Sequence, residues 1–298
     1  MKSSLEHNKN NEISTAVLYG GVDYETMGIE ENSSSKAVNP EIVYNNMSKE
    51  ISKELHRSFV DNIDSRGQKI CYLPNSLTEV MDIKTSFEET QRPVKVLTGS
   101  DATESSVKYL SGHAPLSLHF STHGFYLTWE QARKNDEQFF MINNDYRVSS
   151  IEDKALTRNG LFLAGANKVI EEGDFQFNSN DGILTAYEIS QLDLRGLDLV
   201  VLSACQTGLG DVVQGEGVFG LQRGFKKAGV KSILMSVWPV NDYTTQLLMV
   251  EFYKNYLSGN SKHEALKLAQ QYVKDYKDDN GEKLFVSPYY WAGFIILD

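Results

Sequence analysis

Short apolar runs alternate along most of this chain with longer stretches in which an apolar residue recurs every third or fourth position. The short runs are typical of buried strands, and the longer stretches are typical of amphipathic helices. This alternation predicts an α/β fold whose central sheet is mostly parallel and whose crossovers are right-handed. The predicted strands cover residues 16–19, 70–73, 94–97, 116–121, 199–204, 233–237 and 291–297.

Capping and glycine signals mark the ends of the predicted helices. Ser76 and Glu79 have the spacing of a capping box, which places the start of one helix at Ser76. Asn241 or Asp242 is expected to cap a later helix, and Gly229 is expected to end the helix before it. Ser261, three residues before Glu264, is expected to cap the helix that follows. The predicted helices cover residues 40–59, 76–87, 102–110, 218–227, 242–257 and 262–276.

The alternation lapses between about residues 129 and 181, where charged clusters surround the apolar residues 161–165. We interpret this stretch as an insertion, part strand and part loop, within one large domain. The first 14 residues are rich in Asn, Ser, Lys and Glu, which is typical of a disordered or linker segment. The predicted organisation is therefore a linker over residues 1–14 and one domain over residues 15–298.

Two of the predicted strands end in residues suited to nucleophilic catalysis. One is followed by Cys205 and a glycine-bearing turn, and the other by His123 and Gly124. If the strands are parallel neighbours, these residues meet at the carboxyl edge of the sheet, where open α/β sheets place their ligands. An imidazole beside a thiol favours the thiolate, and the backbone N–H groups of Gly124 and Cys205 are natural donors to an oxyanion. The pattern predicts a thiol hydrolase.

A purely structural interpretation competes with this hypothesis. Cysteine is among the most buried residue types, and a His-Gly pair at the end of a strand is often only a turn. For Cys71, which no turn signal follows before Pro74, we adopt the structural interpretation and expect a buried side chain.

Several long segments resemble one known family. They read HFSTHG, LVVLSACQTG, GEGVFGLQRGFKKAGVKSILMSVWPVND and PYYWAGFIILD, and the resemblance runs from about Val17 to Asp298. Together they are similar to the CHAT domain, a caspase-like and separase-like peptidase module. The resemblance implies a three-layer α/β/α sandwich with a mostly parallel central sheet. It also implies that Cys205 is the nucleophile, that His123 is the general acid/base, and that the backbone of Gly124 contributes to the oxyanion hole.

The chain departs from the family pattern in three respects. Gln206 follows the nucleophile where Glu is usual, which removes a negative charge beside the thiol. Ser203 stands where metacaspase-type relatives have an acid, so their preference for a basic residue before the cut does not transfer. His123 and Cys205 are 82 residues apart, against about 50 in the caspase pattern, and the insertion accounts for the difference.

Composition narrows the function classes. The chain has 298 residues and a formal charge of −11, which argues against nucleic acid or an anionic membrane as a main partner. Two distant cysteines indicate neither a disulfide framework nor a zinc site and fit a reducing compartment. The polar N-terminus does not resemble a signal peptide, so a cytoplasmic location is expected. We interpret three histidines without companions at metal-ligand spacing as structural or surface residues: His113, His119 and His263.

These observations predict a cysteine endopeptidase that acts on a protein substrate through a thioester acyl-enzyme and needs no metal or organic cofactor. Asp211, Glu216 and Trp238 are candidate substrate-binding residues, although the two acids also fit a solvated loop and a helix start. The family commonly joins this domain to tetratricopeptide repeats, and the resemblance implies activation by such a region or another partner. Two alternatives stay open: a catalytically silent interaction module, and a thiol amidase or acyl transferase acting on a small substrate.

Overall fold

The strands form two sheets in the computed structural model, which describes residues 16–26, 69–126, 156, 159–172, 180–203, 216–238, 240–278 and 280–298. Nine strands lie in these ranges: β1 (Ala16–Val22), β2 (Val94–Gly99), β3 (Ser117–Phe120), β4 (Gly124–Tyr126), β5 (Asn159–Phe162), β6 (Ile183–Thr185), β7 (Leu199–Leu202), β8 (Ser232–Ser236) and β9 (Phe294–Leu297).

Six strands make the central sheet, in the order β2-β1-β3-β7-β8-β9. All neighbouring strands are parallel except β9, which runs antiparallel to β8 at one edge. The register of the two middle strands pairs Phe120 with Leu202. The mostly parallel sheet predicted from the sequence is confirmed, and β3 and β7 are direct neighbours as the catalytic hypothesis requires.

Helices cover both faces of this sheet. In the described ranges they are α1 (Pro74–Glu89), α2 (Glu104–Lys108), α3 (Ala166–Glu172), α4 (Ala186–Ser190), α5 (Glu216–Lys227), α6 (Asp242–Leu257) and α7 (Lys262–Asp275), with a 3₁₀ turn at Pro288–Tyr290. Residues of β7 alternate between two buried clusters, because successive side chains of a strand point to opposite faces. Leu199 and Val201 pack in the layer of α1, α6 and α7, while Val200 and Leu202 pack in the layer that contains α4 and α5. The molecule is a three-layer α/β/α sandwich of the caspase-like type.

A second, antiparallel sheet begins directly after His123 and has the order β4-β5-β6. The sequence indicates strand structure within the insertion but does not predict this sheet, because its strands are only three or four residues long and short runs give no clear periodicity. β5 lies inside the predicted insertion at residues 129–181, of which the structure describes residues 156, 159–172 and 180–181. This sheet continues the chain from His123 and therefore helps to place it.

The segment between β1 and α1 differs from the prediction. Residues 70–73 form neither strand nor helix, and α1 begins at Pro74 rather than after Ser76. Proline suits the first helical position because its φ is already helical, and the N-cap Leu73 makes no side-chain capping bond. The capping box is therefore wrong: Ser76 Oγ accepts from Gly21 N and donates to the Leu73 carbonyl. Cys71, expected to be buried, is exposed.

Other helix signals are confirmed. Asn241 caps α6 by accepting from Thr244 N at 3.1 Å, and Ser261 caps α7 in the same way from Glu264 N. Gly229 follows α5 with a φ of 98°, the left-handed conformation that ends many helices. The predicted helix at 40–59, the linker at 1–14 and the glycine-bearing turn that follows Cys205 lie outside the described residues. Within the described ranges, no helix has the length and apolar character to cross a membrane.

Candidate active site at the carboxyl edge of the central sheet

His123 lies three residues beyond the end of β3 and is partly buried. Its ring Nε2 is 2.8 Å from the backbone carbonyl oxygen of Cys71. A carbonyl oxygen only accepts, so Nε2 carries the donated proton in this contact. In the neutral imidazole the other nitrogen, Nδ1, then holds a lone pair and can accept a proton.

Tyr24 supports the same histidine from the end of β1. The two ring centroids are 5.6 Å apart, and the His123 amide donates to the Tyr24 hydroxyl at 3.4 Å. Tyr24 in turn donates to Thr122 Oγ1 at 2.9 Å, whose own proton goes to the Phe162 carbonyl. Burial raises the pKa of Tyr24 to about 12, so its hydroxyl keeps the proton that this chain of hydrogen bonds needs. Backbone and ring of His123 are thus both fixed.

The surroundings of His123 shift its pKa in opposite directions. Burial lowers the pKa of the imidazole below its usual value, while the Cys71 carbonyl and the carboxylate of Asp242 favour the charged form and partly offset it. Asp242 opens α6 and accepts a hydrogen bond from Asn75 Nδ2 at 2.7 Å. The net result is a lowered pKa, which favours the neutral imidazole that can act as a base.

We expect Asp242→Asn to lower the pKa of His123 further, because the substitution removes a negative charge that stabilises the imidazolium. The measurement is an NMR titration of the His123 ring protons. Asp82→Asn is the matched control, since Asp82 on α1 likewise accepts a hydrogen bond from an amide side chain, that of Gln246 on α6. A raised or unchanged pKa in Asp242→Asn, or an equal change in the control, contradicts this electrostatic role.

Gly124 follows His123 as the first residue of β4. In an antiparallel ladder, hydrogen-bonded and non-hydrogen-bonded pairs alternate, and here Phe162 N donates to the His123 carbonyl at 2.9 Å. The next pair, Gly124 with Leu161, is therefore a non-hydrogen-bonded pair, and the Gly124 amide is directed away from β5. An added Cβ at Gly124 would meet the Gly160 carbonyl at 3.4 Å, an ordinary contact. The fold itself does not require glycine at this position.

The candidate nucleophile lies just beyond the described part of β7. Ser203 N donates to the Phe120 carbonyl at 3.0 Å, which extends the β3–β7 ladder by one residue. Cys205 and Gln206 fall outside the described residues, as does Asp211. Glu216 is the first residue of α5, and its side chain is likewise outside the description.

Trp238 lies two residues beyond β8, at the same edge of the sheet as His123 and two strands away. Its indole Nε1 donates to the Tyr289 carbonyl at 3.2 Å, and Gly293 packs against the ring. The side chain is partly buried. Its role as a wall of the substrate groove stays a prediction.

Asn167 joins the two chain segments that flank His123. Its fully buried side chain accepts from Ile70 N at 2.7 Å and donates to both the Ile70 carbonyl and Glu25 Oε1 at 3.0 Å. The backbone N–H of Asn167 donates to the Tyr24 carbonyl at 2.8 Å. One asparagine on α3 therefore holds the end of β1 and the approach to α1, which supply Tyr24 and the Cys71 carbonyl.

Three groups around His123 were not identified from the sequence as parts of the site: Tyr24, the Cys71 carbonyl and the Asp242 carboxylate. Tyr24 could have been found, because it follows a strand that neighbours β3. Asp242 was considered only as a capping residue. The Cys71 carbonyl has no sequence signature, since every residue carries a backbone carbonyl. In the described residues, no group of three His, Cys, Asp or Glu side chains is arranged to hold a metal ion.

Comparison with known proteins gives a family match and relatives that align with only part of this chain. The family model described as "CHAT domain" matches residues 31–297. Human tetratricopeptide repeat protein 28 is 33% identical over 115 residues, and the mouse protein of the same name is 34% identical over 116 residues. In both cases the aligned region is 39% of this chain and only 4% of the relative. The chain thus spans a small fraction of these relatives.

Among solved structures, a pyridoxal kinase from Staphylococcus aureus in complex with pyridoxal aligns over 73% of this chain and 91% of its own. The identity is 10% and the TM-score is 0.27. At that TM-score the likeness carries no argument about fold or function.

Proposed function

Because the chain belongs to the CHAT domain family, a caspase-like family related to cysteine peptidases, we propose that it is a cysteine endopeptidase acting through Cys205 and His123. The observation that carries this proposal is the orientation of His123, whose Nε2 is held by the Cys71 carbonyl at 2.8 Å. The register supports the pairing, because Phe120 pairs with Leu202 and each candidate residue lies three positions further along its chain. Only Ala204 lies between Ser203 and Cys205, so their Cα atoms are at most about 7 Å apart.

The proposed reaction begins with transfer of the Cys205 thiol proton to His123 Nδ1. The thiolate attacks the carbonyl carbon of the scissile peptide, and the oxyanion that forms accepts hydrogen bonds from the Gly124 and Cys205 amides. Collapse of this intermediate breaks the C–N bond, and His123 returns its proton to the departing amine. Water, with His123 as base, then hydrolyses the thioester and regenerates the thiol.

We further propose that the substrate is a protein and that a regulatory partner activates the domain. The relatives are named for tetratricopeptide repeats, which supports a repeat region as the partner that activates this domain. Trp238, Asp211 and Glu216 remain our candidates for the substrate-binding surface. A cytoplasmic location also remains an expectation.

A thiol-reactive peptide electrophile tests this proposal. We expect a covalent adduct on Cys205, found by mass spectrometry of the digested protein, that persists in Cys71→Ala and disappears in Cys205→Ala. Cys71 is the demanding control because it is exposed and its carbonyl binds His123. Since its side chain is on the surface, Cys71→Ala should change the free energy of unfolding by no more than about 0.5 kcal/mol.

The same labelling experiment, together with cleavage of a peptide library, separates the alternatives. A silent interaction module would react slowly at both cysteines, as free thiols do. A thiol amidase or acyl transferase would label at Cys205 but would not cleave members of a peptide library. Adduct formation on Cys71 alone would contradict the choice of nucleophile.

A further inference from the structure

A carboxylate and an imidazole are paired in the apolar layer between β3 and α1, where the imidazole comes from the last residue but one of β3. Glu79 Oε1 lies 2.7 Å from His119 Nε2, and the two side chains are 1% and 0% exposed. Burial of such groups is costly unless they are well paired, and replacing a buried polar pair with apolar residues is often neutral or stabilising. Stability alone therefore gives a weak reason for this pair.

The imidazole of His119 is held by this one hydrogen bond. Its Nδ1 has no hydrogen-bond partner among the described residues, and its ring meets Tyr253 edge-on with centroids 5.6 Å apart. The aliphatic side chains of Val80 and Ile83 on α1 belong to the same buried layer. Any sliding or rotation of α1 on the sheet would separate Glu79 from its partner in a place where water cannot replace it.

The two segments that carry this pair meet again at the candidate active site. His123 follows His119 by four residues, and Cys71 precedes Glu79 by eight. Between the two contacts, Ser76 Oγ accepts from Gly21 N at 2.9 Å and donates to the Leu73 carbonyl at 2.8 Å. The stretch from Cys71 to Glu79 is thus held by three contacts, which join the Cys71 carbonyl to His123, Ser76 to Gly21 and Glu79 to His119.

We propose that the Glu79–His119 pair is a positioning device for His123. By setting where α1 sits on β3, the pair holds the Cys71 carbonyl at hydrogen-bonding distance from His123 Nε2. That contact keeps the ring proton on Nε2 and leaves Nδ1 as the base. The catalytic consequence rests on the proposed function, but the effect on the His123 tautomer does not.

The test uses the full chain and the double substitution Glu79→Met with His119→Leu, which removes both polar partners at similar volume. Nitrogen-15 NMR of labelled histidine reports which ring nitrogen of His123 carries the proton, with the signal assigned by its loss in His123→Gln. We expect wild type to show the Nε2–H form alone and the double variant to show a mixture of both tautomers. If the chain cleaves peptides, kcat should fall by about 10- to 100-fold with KM little changed, because small misplacements have effects of that size.

Two further variants sharpen the test. Glu79→Gln can still accept from His119 Nε2 and should keep the wild-type tautomer. Tyr253→Phe removes the hydroxyl that lies 3.3 Å from Ser117 Oγ in the same buried layer, and it should lower Tm without changing His123. If the double variant does not fold, Glu79→Asp, which withdraws the carboxylate by one methylene, is expected to give the mixed tautomer.

The outcomes are distinguishable. An unchanged His123 tautomer in the folded double variant, or in Glu79→Asp, overturns the positioning role. An equal change in Tyr253→Phe also overturns it, because any damage to this layer would then act alike. A changed tautomer in a chain that cleaves no peptide would leave the positioning role standing and remove the proposed function instead.

Discussion

Replacing His123 or Cys205 with alanine is expected to lower the rate of peptide cleavage by about 10³-fold or more, while the chain remains folded. Each change removes a reacting group, and such groups act as a unit. The double variant should therefore be no slower than the worse of the single variants. Cleavage of a reporter peptide under single-turnover conditions measures the effect, and circular dichroism measures folding.

A matched control comes from His113, an exposed histidine stacked on Tyr109 with ring centroids 5.7 Å apart. His113→Ala also removes an imidazole that packs on a tyrosine, but at a distance from the carboxyl edge, and it should leave the rate unchanged. Full activity in His123→Ala or in Cys205→Ala would remove the dyad from consideration.

Two glycines of the small sheet should respond to alanine in opposite ways. An added Cβ at Gly160 would lie 2.5 Å from both the Leu184 carbonyl and the Phe125 ring, so Gly160→Ala should destabilise the fold by about 2–3 kcal/mol. Gly124 has room, with its nearest contact at 3.4 Å, so Gly124→Ala should change stability by no more than about 0.5 kcal/mol. Denaturant unfolding measures both.

The cleavage rates of the same two variants should show which glycine contributes to catalysis. If the Gly124 amide faces the oxyanion, a methyl group there crowds the substrate carbonyl, and we expect cleavage to slow by about 10²-fold in a stable protein. Gly160→Ala should lose activity only in proportion to the unfolded fraction. Wild-type cleavage by Gly124→Ala would show that this glycine has no part in binding the oxyanion.

The central sheet could be predicted because its strands are continuous apolar runs, and a strand buried on both faces has that signature. Residues 199–202 and 233–235 are examples, and both runs are buried throughout. The run at residues 70–73 has a similar apolar character, but no strand in the described ranges pairs with it and Pro74 starts a helix directly after it. Apolar character alone does not tell a strand from an irregular segment.

The candidate site, too, could be predicted from the sequence only in part. The position of His123 followed from the rule that parallel strands deliver their ends to one edge of a sheet. The polar contacts of Ser76 and Glu79 could not be predicted, because local spacing indicated a capping box while the tertiary partners are Gly21 and His119. A local rule was overridden by long-range contacts that only the folded chain provides.

Asn167 has a consequence for how this domain can be altered. By binding both Glu25 and Ile70, it fixes the two attachment points of residues 27–68. Because the asparagine itself holds these two points, Tyr24 and the Cys71 carbonyl are expected to stay beside His123 when the sequence that joins the points is changed.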